Sequence, residues 1–160
     1  MKRLLFFCAL LIIFTLKSSY SEANEDLEEL TFNSLLNAID DFDSDQVADI
    51  LLKKNCLDNH WLNRALLYAS GNRHTDNINA MQQILAELLL AGADSNYQDE
   101  ETLDSVLISL VKNPYTKPIL INTIRGYGNP FLTLQNIQRK NAAQIAKQLY
   151  REDLLDCLVA

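Results

Sequence analysis

An all-α fold, built as a stack of helix pairs, is predicted by three features of the sequence. Apolar residues recur at three- and four-residue spacing through most of residues 30–160, the signature of one buried helix face. Each apolar stripe is only two to four turns long, so no single helix is stable without neighbours. The same features also return every 34 to 37 residues, a period that marks repeat architectures.

The stripes come in order. Leu35, Leu36, Ile39 and Phe42 form the first, and Val47, Ile50 and Leu51 the second. Leu62, Ala65, Leu66 and Ala69 are followed by Met81, Ile84, Leu85, Leu88 and Leu89. Val106, Leu107 and Leu110 precede Leu120, Ile121 and Ile124. Ala142, Ile145, Ala146 and Leu149 lead to Leu154, Leu155 and Leu158. Eight short helices in four pairs result. The punctuation agrees with them. Asp43 or Ser44 supplies a side-chain oxygen for the open N–H groups at the start of the second helix. Asn113-Pro114 ends the fifth, and Pro118 sits in a first turn, where a missing N–H costs nothing. Gly92 and Gly128 follow apolar helices at the position where a left-handed cap favours glycine.

The period is clearest on the second helix of each pair. Val47, Ile84, Leu120 and Leu154 lie 37, 36 and 34 residues apart, and Leu51, Leu88, Ile124 and Leu158 repeat the same separations four residues on. Asn55, Gly92 and Gly128 follow, all residues that tolerate a left-handed turn. Ala38, Ala69, Ser109 and Ala146 form a parallel series of small residues on the first helices, where neighbours approach closely.

On these residues the chain resembles the ankyrin repeat family. "LAELLLAGADSN" is similar to that family's second helix and its Gly-Ala-Asp turn, and "KNAAQIAKQLYREDLLDCLVA" to a terminal repeat. The expected repeats cover about residues 30–59, 60–98, 99–134 and 135–160 of a domain spanning 24–160. The family's Thr-Pro-Leu-His is missing from every repeat, and the second carries an insertion, "SGNRHTDNIN". The tetratricopeptide repeat has a similar period but a different aromatic and proline pattern. The resemblance implies an ankyrin-type solenoid of about four helix pairs. It also implies a protein-binding surface on the turn tips and first helices, here Asn55 to Trp61, Ala93 to Glu101 and Asn129 to Asn136. Candidate partner-binding residues are Asn59, His60, Trp61, Asn96, Tyr97, Gln98, Asp99, Glu100 and Phe131. Tyr and Trp anchor interfaces well because they bury large areas at modest entropic cost, although Trp61 and Tyr68 also fit a packing role between repeats.

Upstream, Lys2 and Arg3 precede an apolar run from Leu4 to Leu16, with small residues Ser21 and Ala23 beyond it. Thirteen residues are short of the roughly 20 that span a bilayer, and the pattern fits a signal peptide over residues 1–23. Cys8 lies inside the apolar run and not at the cleavage point, which disfavours a lipoprotein. The expected protein is exported, periplasmic or secreted, without an integral span after cleavage. Residues 24–160 carry 11 basic and 20 acidic side chains, a formal charge of −9. That balance argues against nucleic acid as a partner. Charge is uneven: Asn24 to His60 holds ten acids against Lys53 and Lys54, and Lys112 to Arg151 holds seven bases and no acid.

Chemistry-bearing clusters are sparse. Asp41, Asp43 and Asp45 resemble the start of a calcium loop, but its glycine and glutamate positions hold Gln46 and Leu52. Cys56, His60 and His74 lack the four-ligand spacing of structural zinc, and Cys56 with His60 has no oxyanion-hole sequence beside it. "GYGNP" has no preceding strand and is not a phosphate loop. No enzyme activity, metal or cofactor is expected. Cys56 and Cys157 are expected as separate thiols, with His60 in a loop. The expected function is that of a monomeric adaptor, inhibitor or protective factor for a partner protein. A secreted effector engaging host proteins is an alternative, as is a metal- or thiol-dependent protein using Cys56 and His60. Elemental analysis and thiol titration of the purified protein test that last alternative. The binding-module reading expects no stoichiometric metal and an ordinary thiol pKa.

Overall fold

The computed structural model describes residues 28–53, 57–72 and 77–159. The expected signal peptide, Asn55, Cys56 and His74 lie outside them. The described residues are all-helical, apart from one isolated bridge between Gln98 and Ser105. Helix α1 covers 28–40. It is followed by α2 (Ser44–Leu52), α3 (Asn59–Gly71), α4 (Ile78–Leu90), α5 (Val106–Lys112), α6 (Pro118–Gly128), α7 (Ala142–Gln148) and α8 (Glu152–Leu158). None is long and apolar enough to cross a membrane.

The helices lie in two rows. In one, α3 packs on α5 and α5 on α7; in the other, α2, α4, α6 and α8 follow one another. Each of α3, α5 and α7 also packs on the helix that follows it, closing the two rows onto one core. Helix α1 joins the first row through Phe32, whose ring lies 4.6 Å from that of Trp61 on α3. Val47, Ile84, Leu120 and Leu154 are fully buried at one register position of the even-numbered helices. Leu51, Leu88, Ile124 and Leu158 are buried four residues on. The small-residue series behaves alike, with Ala38, Ala69 and Ala146 buried and Ser109 half-buried. Helix α5 buries more than its stripe predicted: Ile108 and Val111 join Val106, Leu107 and Leu110, because α3, α6 and α7 cover it on several sides.

Sequence-specific caps set the helix starts. Asp58, Ser105 and Asn141 each accept from the backbone N–H three residues ahead, at the heads of α3, α5 and α7. Asp43 does the same for α2, so the aspartates of "DDFDSDQ" include a helix cap, and Ser44 is the first helical residue. Asn77 caps α4, and Pro118 opens α6. Part of the stretch read as an insertion is helical: Ser70 and Gly71 complete α3, while Ile78 and Asn79 open α4.

The left-handed backbone positions correct one expectation. Gly92 has φ +109° after α4, but Gly128 is the last residue of α6, and Asn129 takes the left-handed turn instead. Asparagine tolerates that conformation better than other side-chain-bearing residues. Gly128 is needed for space. The hydroxyl of Ser95 donates to its carbonyl, and a Cβ there would lie 2.6 Å from the Ser95 Cβ. Leu103 and Arg139 also have positive φ and lie 36 residues apart; Phe42 and Tyr150 have it in the turns after α1 and α7.

Two glycines of α6 therefore separate in their effects. Gly126→Ala adds a methyl group to open space and should raise stability by about 0.5–1 kcal/mol, the helix-propensity gain. Gly128→Ala should lower stability by about 1–3 kcal/mol through overpacking against Ser95. Urea unfolding of both variants checks the contrast; equal responses would refute the close approach.

Candidate functional site

A groove of about 1060 Å³ opens along α3. Its helical wall is a single stripe, His60, Arg64, Leu67, Tyr68 and Gly71, at the spacing that aligns side chains on one face of a helix. The opposite wall is a finger formed by the segment between α4 and α5, contributing Tyr97, Asp99, Glu100 and Glu101. Asp40 and Asn72 line the end next to Gly71.

Side-chain hydrogen bonds make the finger rigid. Asp99 Oδ1 accepts from the Thr102 N–H at 2.8 Å, the Thr102 hydroxyl at 2.8 Å and the Glu101 N–H at 3.2 Å. Gln98 Nε2 donates to the carbonyls of Leu103 and Gln135, the latter in the loop before α7. Asn96 Oδ1 accepts from Phe131 N, Asn63 Oδ1 on α3 accepts from Asp94 N at 2.6 Å, and Ile137 N donates to the Thr102 carbonyl. Buried Asn136 donates to Asp104, which also pairs with Lys112. The finger is thus tied to α3 on one side and to the next loop on the other.

A second chain of bonds runs through the turns that follow the odd-numbered helices. Asn72 Nδ2 donates to Asp40 Oδ1 at 2.9 Å, and Asn113 Nδ2 to the Asn72 carbonyl at 2.6 Å. Arg151 Nη1 donates to the Asn113 carbonyl at 3.0 Å. At the groove end of this chain, the Tyr68 hydroxyl donates to both oxygens of Asp40, at 2.9 and 2.8 Å. The sequence carries no sign of these pairings: Asn113 reads only as a helix end, and Asn72 falls in the stretch read as an insertion.

The candidate residues fall into four groups, Asp99 belonging to two of them. His60, Tyr97, Asp99 and Glu100 meet in the groove. His60 sits in the first turn of α3 rather than in a loop, because the Asp58 cap starts the helix ahead of it. Trp61 is half-buried in packing: its ring contacts Phe32, and its indole N–H donates to Glu28 at 3.1 Å. Asn96, Gln98 and Asp99 act within the frame, so the finger's polar residues are not all available to a partner. Asn59 and Phe131 are exposed but do not line the groove. Glu101 belongs to the binding segment expected from the sequence, whereas Arg64, Tyr68 and Asp40 belong to no site expected from it. The spacing of His60, Arg64, Tyr68 and Gly71 was the signal available for α3. Cys157 is a half-buried free thiol on α8.

The groove is unevenly charged. Four carboxylates, from Asp40, Asp99, Glu100 and Glu101, face one arginine. The Arg64 guanidinium lies 5.1 Å from the ring centres of both Phe32 and Trp61, a cation–π arrangement that holds its charge beside α1. The backbone and hydroxyl of Thr102 hold the Asp99 carboxyl below the usual range. Asp40 acts oppositely on Tyr68, whose phenol is pushed up because its proton is committed to the carboxylate. In comparisons with known proteins, the sequence matches no family model and no curated protein.

The Asp99 shift gives a stability effect of definite sign. A folded pKa below the unfolded value adds stability above the unfolded pKa and loses it as pH falls through the folded value. Asp99→Ala should cost about 1 kcal/mol at pH 7, as loss of a capping carboxylate does elsewhere. Its stability should then fall less steeply than the parent's between pH 5 and 3. Thermal melts across that window check both; an unchanged acid slope would remove Asp99 as a contributor. Tyr68 works at the other end, its contribution being lost as pH rises through its raised pKa.

Proposed function

We propose that this chain is an ankyrin-type repeat protein, exported from the cytoplasm by the segment 1–23, that binds a partner protein through the α3–finger groove. Metal, cofactor and catalysis have no part in this reading. It acts on its partner as an adaptor, inhibitor or protective factor. The observation that carries the reading is the meeting of His60, Tyr97 and Glu100, from two separated stretches, in one open groove.

Three recurrences support the repeat assignment: buried anchors at 34 to 37 residue intervals, caps at Ser105 and Asn141, and positive φ at Leu103 and Arg139. Stacked repeats present an extended surface made by several units at once. The rigid finger favours binding too, since a wall held by its own hydrogen bonds loses little freedom when a partner seats.

Tyr97→Ala and Glu100→Ala together should reduce capture of the partner from the native compartment at least tenfold. The melting temperature should stay within a few degrees, since neither side chain belongs to the finger's hydrogen-bond frame. Affinity capture with quantitative mass spectrometry checks this. Undiminished capture by a folded double variant would rule out the groove.

A further inference from the structure

We infer that the groove takes an extended, cationic peptide segment of the partner, about five residues long, with Lys or Arg side chains directed to the finger. The inference rests on the proposal that the groove is the partner-binding site, and it adds the occupant's chemistry.

Length comes from α3. His60 and Gly71 are eleven residues apart, which at about 1.5 Å per residue is ~16 Å of helix. An extended chain rises about 3.3 Å per residue, so roughly five residues match that stripe. A helix of 10–12 Å diameter would demand a wider channel between α3 and the finger than a single extended strand does.

Charge comes from the order in which the groove's ionic groups are already engaged. Asp40 accepts from Tyr68 and Asn72, and Asp99 from Thr102 and Glu101. Arg64 lies over two aromatic rings of the α1–α3 junction. Glu100 and Glu101 are exposed on the finger and have no side-chain hydrogen bond or ion pair among the described residues. The groove's formal balance is therefore anionic, four carboxylates against Arg64, and the two carboxylates left without a bonded partner lie on the finger. Tyr97, half-buried beside these glutamates, adds an aromatic face on which a guanidinium or ammonium can lie. An anionic or purely apolar segment would desolvate those carboxylates without pairing them, which disfavours both.

The probes are two acetylated pentapeptides, Lys-Ala-Lys-Ala-Lys and Glu-Ala-Glu-Ala-Glu, carrying the same zwitterionic fluorophore and read by fluorescence polarisation. The cationic peptide should bind at least tenfold more tightly at 50 mM salt and weaken several-fold at 300 mM. The Glu100→Lys/Glu101→Lys variant should lose at least tenfold of that affinity. Asp49→Lys/Asp156→Lys makes the same charge change at exposed sites outside the groove and should stay within twofold. Circular dichroism melts verify that both fold. Equal losses from the two variants would mean a diffuse field, and absence of a cationic preference would mean no such subsite; either overturns the inference. If the cationic preference is absent while Tyr97→Ala/Glu100→Ala still loses the natural partner, the groove assignment stands and only the occupant's chemistry falls. If that double variant also captures normally, both fall.

Discussion

The burial of α4 on three sides is the constraint on which the rest of the fold depends. Its Met81, Ile84, Leu85, Leu88 and Leu89 are buried, and it packs against α2, α3 and α6. No helix of seven to thirteen residues has the cooperativity to persist in water by itself. Each must cover a neighbour's apolar stripe while its own is covered. Helix α4 links the two rows in the amino-terminal half and passes the stacking on to α6. A polar residue at fully buried Ile84 or Leu88 would therefore carry an unpaired group into the core that α4 shares with its neighbours. The identical burial of Val47, Ile84, Leu120 and Leu154 follows from this, since each fills the same gap between successive pairs.

Apolar stacking is non-directional and would tolerate some sliding of one pair on the next. Polar contacts remove that freedom. The bonds from Asn72 to Asp40, from Asn113 to the Asn72 carbonyl and from Arg151 to the Asn113 carbonyl fix the relative height of four successive turns. Asn72 and Asn113 are buried, so an unmade bond there would cost the full desolvation of an amide. The loop bonds made by Asn96, Gln98 and Asn136 fix the other edge in the same way. Register is thus specified twice, at the turns after the odd helices and at the loops that lead into α5 and α7.

This division explains what the sequence revealed. Apolar period is a direct image of burial, so the helices, their order and the 34 to 37 residue spacing were legible from Val47 to Leu158. Hydrogen-bond partners far apart in sequence leave no such image. "SNYQDEE" reads as uniformly polar surface, yet Asn96, Gln98 and Asp99 are parts of the frame while Tyr97, Glu100 and Glu101 line the groove. Asparagine, glutamine and aspartate serve solvent and backbone equally well, and only the fold decides between them. Gly128 was recognised as a required glycine for the wrong reason: its neighbour Ser95 sets the requirement, and a contact 33 residues away is not a local signal. Trp61 fits packing or binding by sequence alone, and its contacts with Phe32 and Glu28 on α1 come from a part of the chain about 30 residues away that no local pattern points to.

The same devices that hold the stack also shape the groove. Asp40, the first acceptor in the turn-to-turn chain, orients Tyr68 at one end of it. Asp99, which closes the finger turn, holds Glu100 and Glu101 toward α3 by bonding the backbone around them. Trp61 and Phe32, which join α1 to α3, lie under the Arg64 guanidinium at the α3 side of the groove. A loop free to move could neutralise its glutamates with Arg64 or with Lys112. In this structure Lys112 is paired with Asp104 instead, and the finger is bonded to α3 at one end and to the loop before α7 at the other. The anionic character of the groove is therefore tied to how the helix pairs are latched together. A cationic occupant, as proposed, is the one that meets this balance without breaking the bonds that hold the stack.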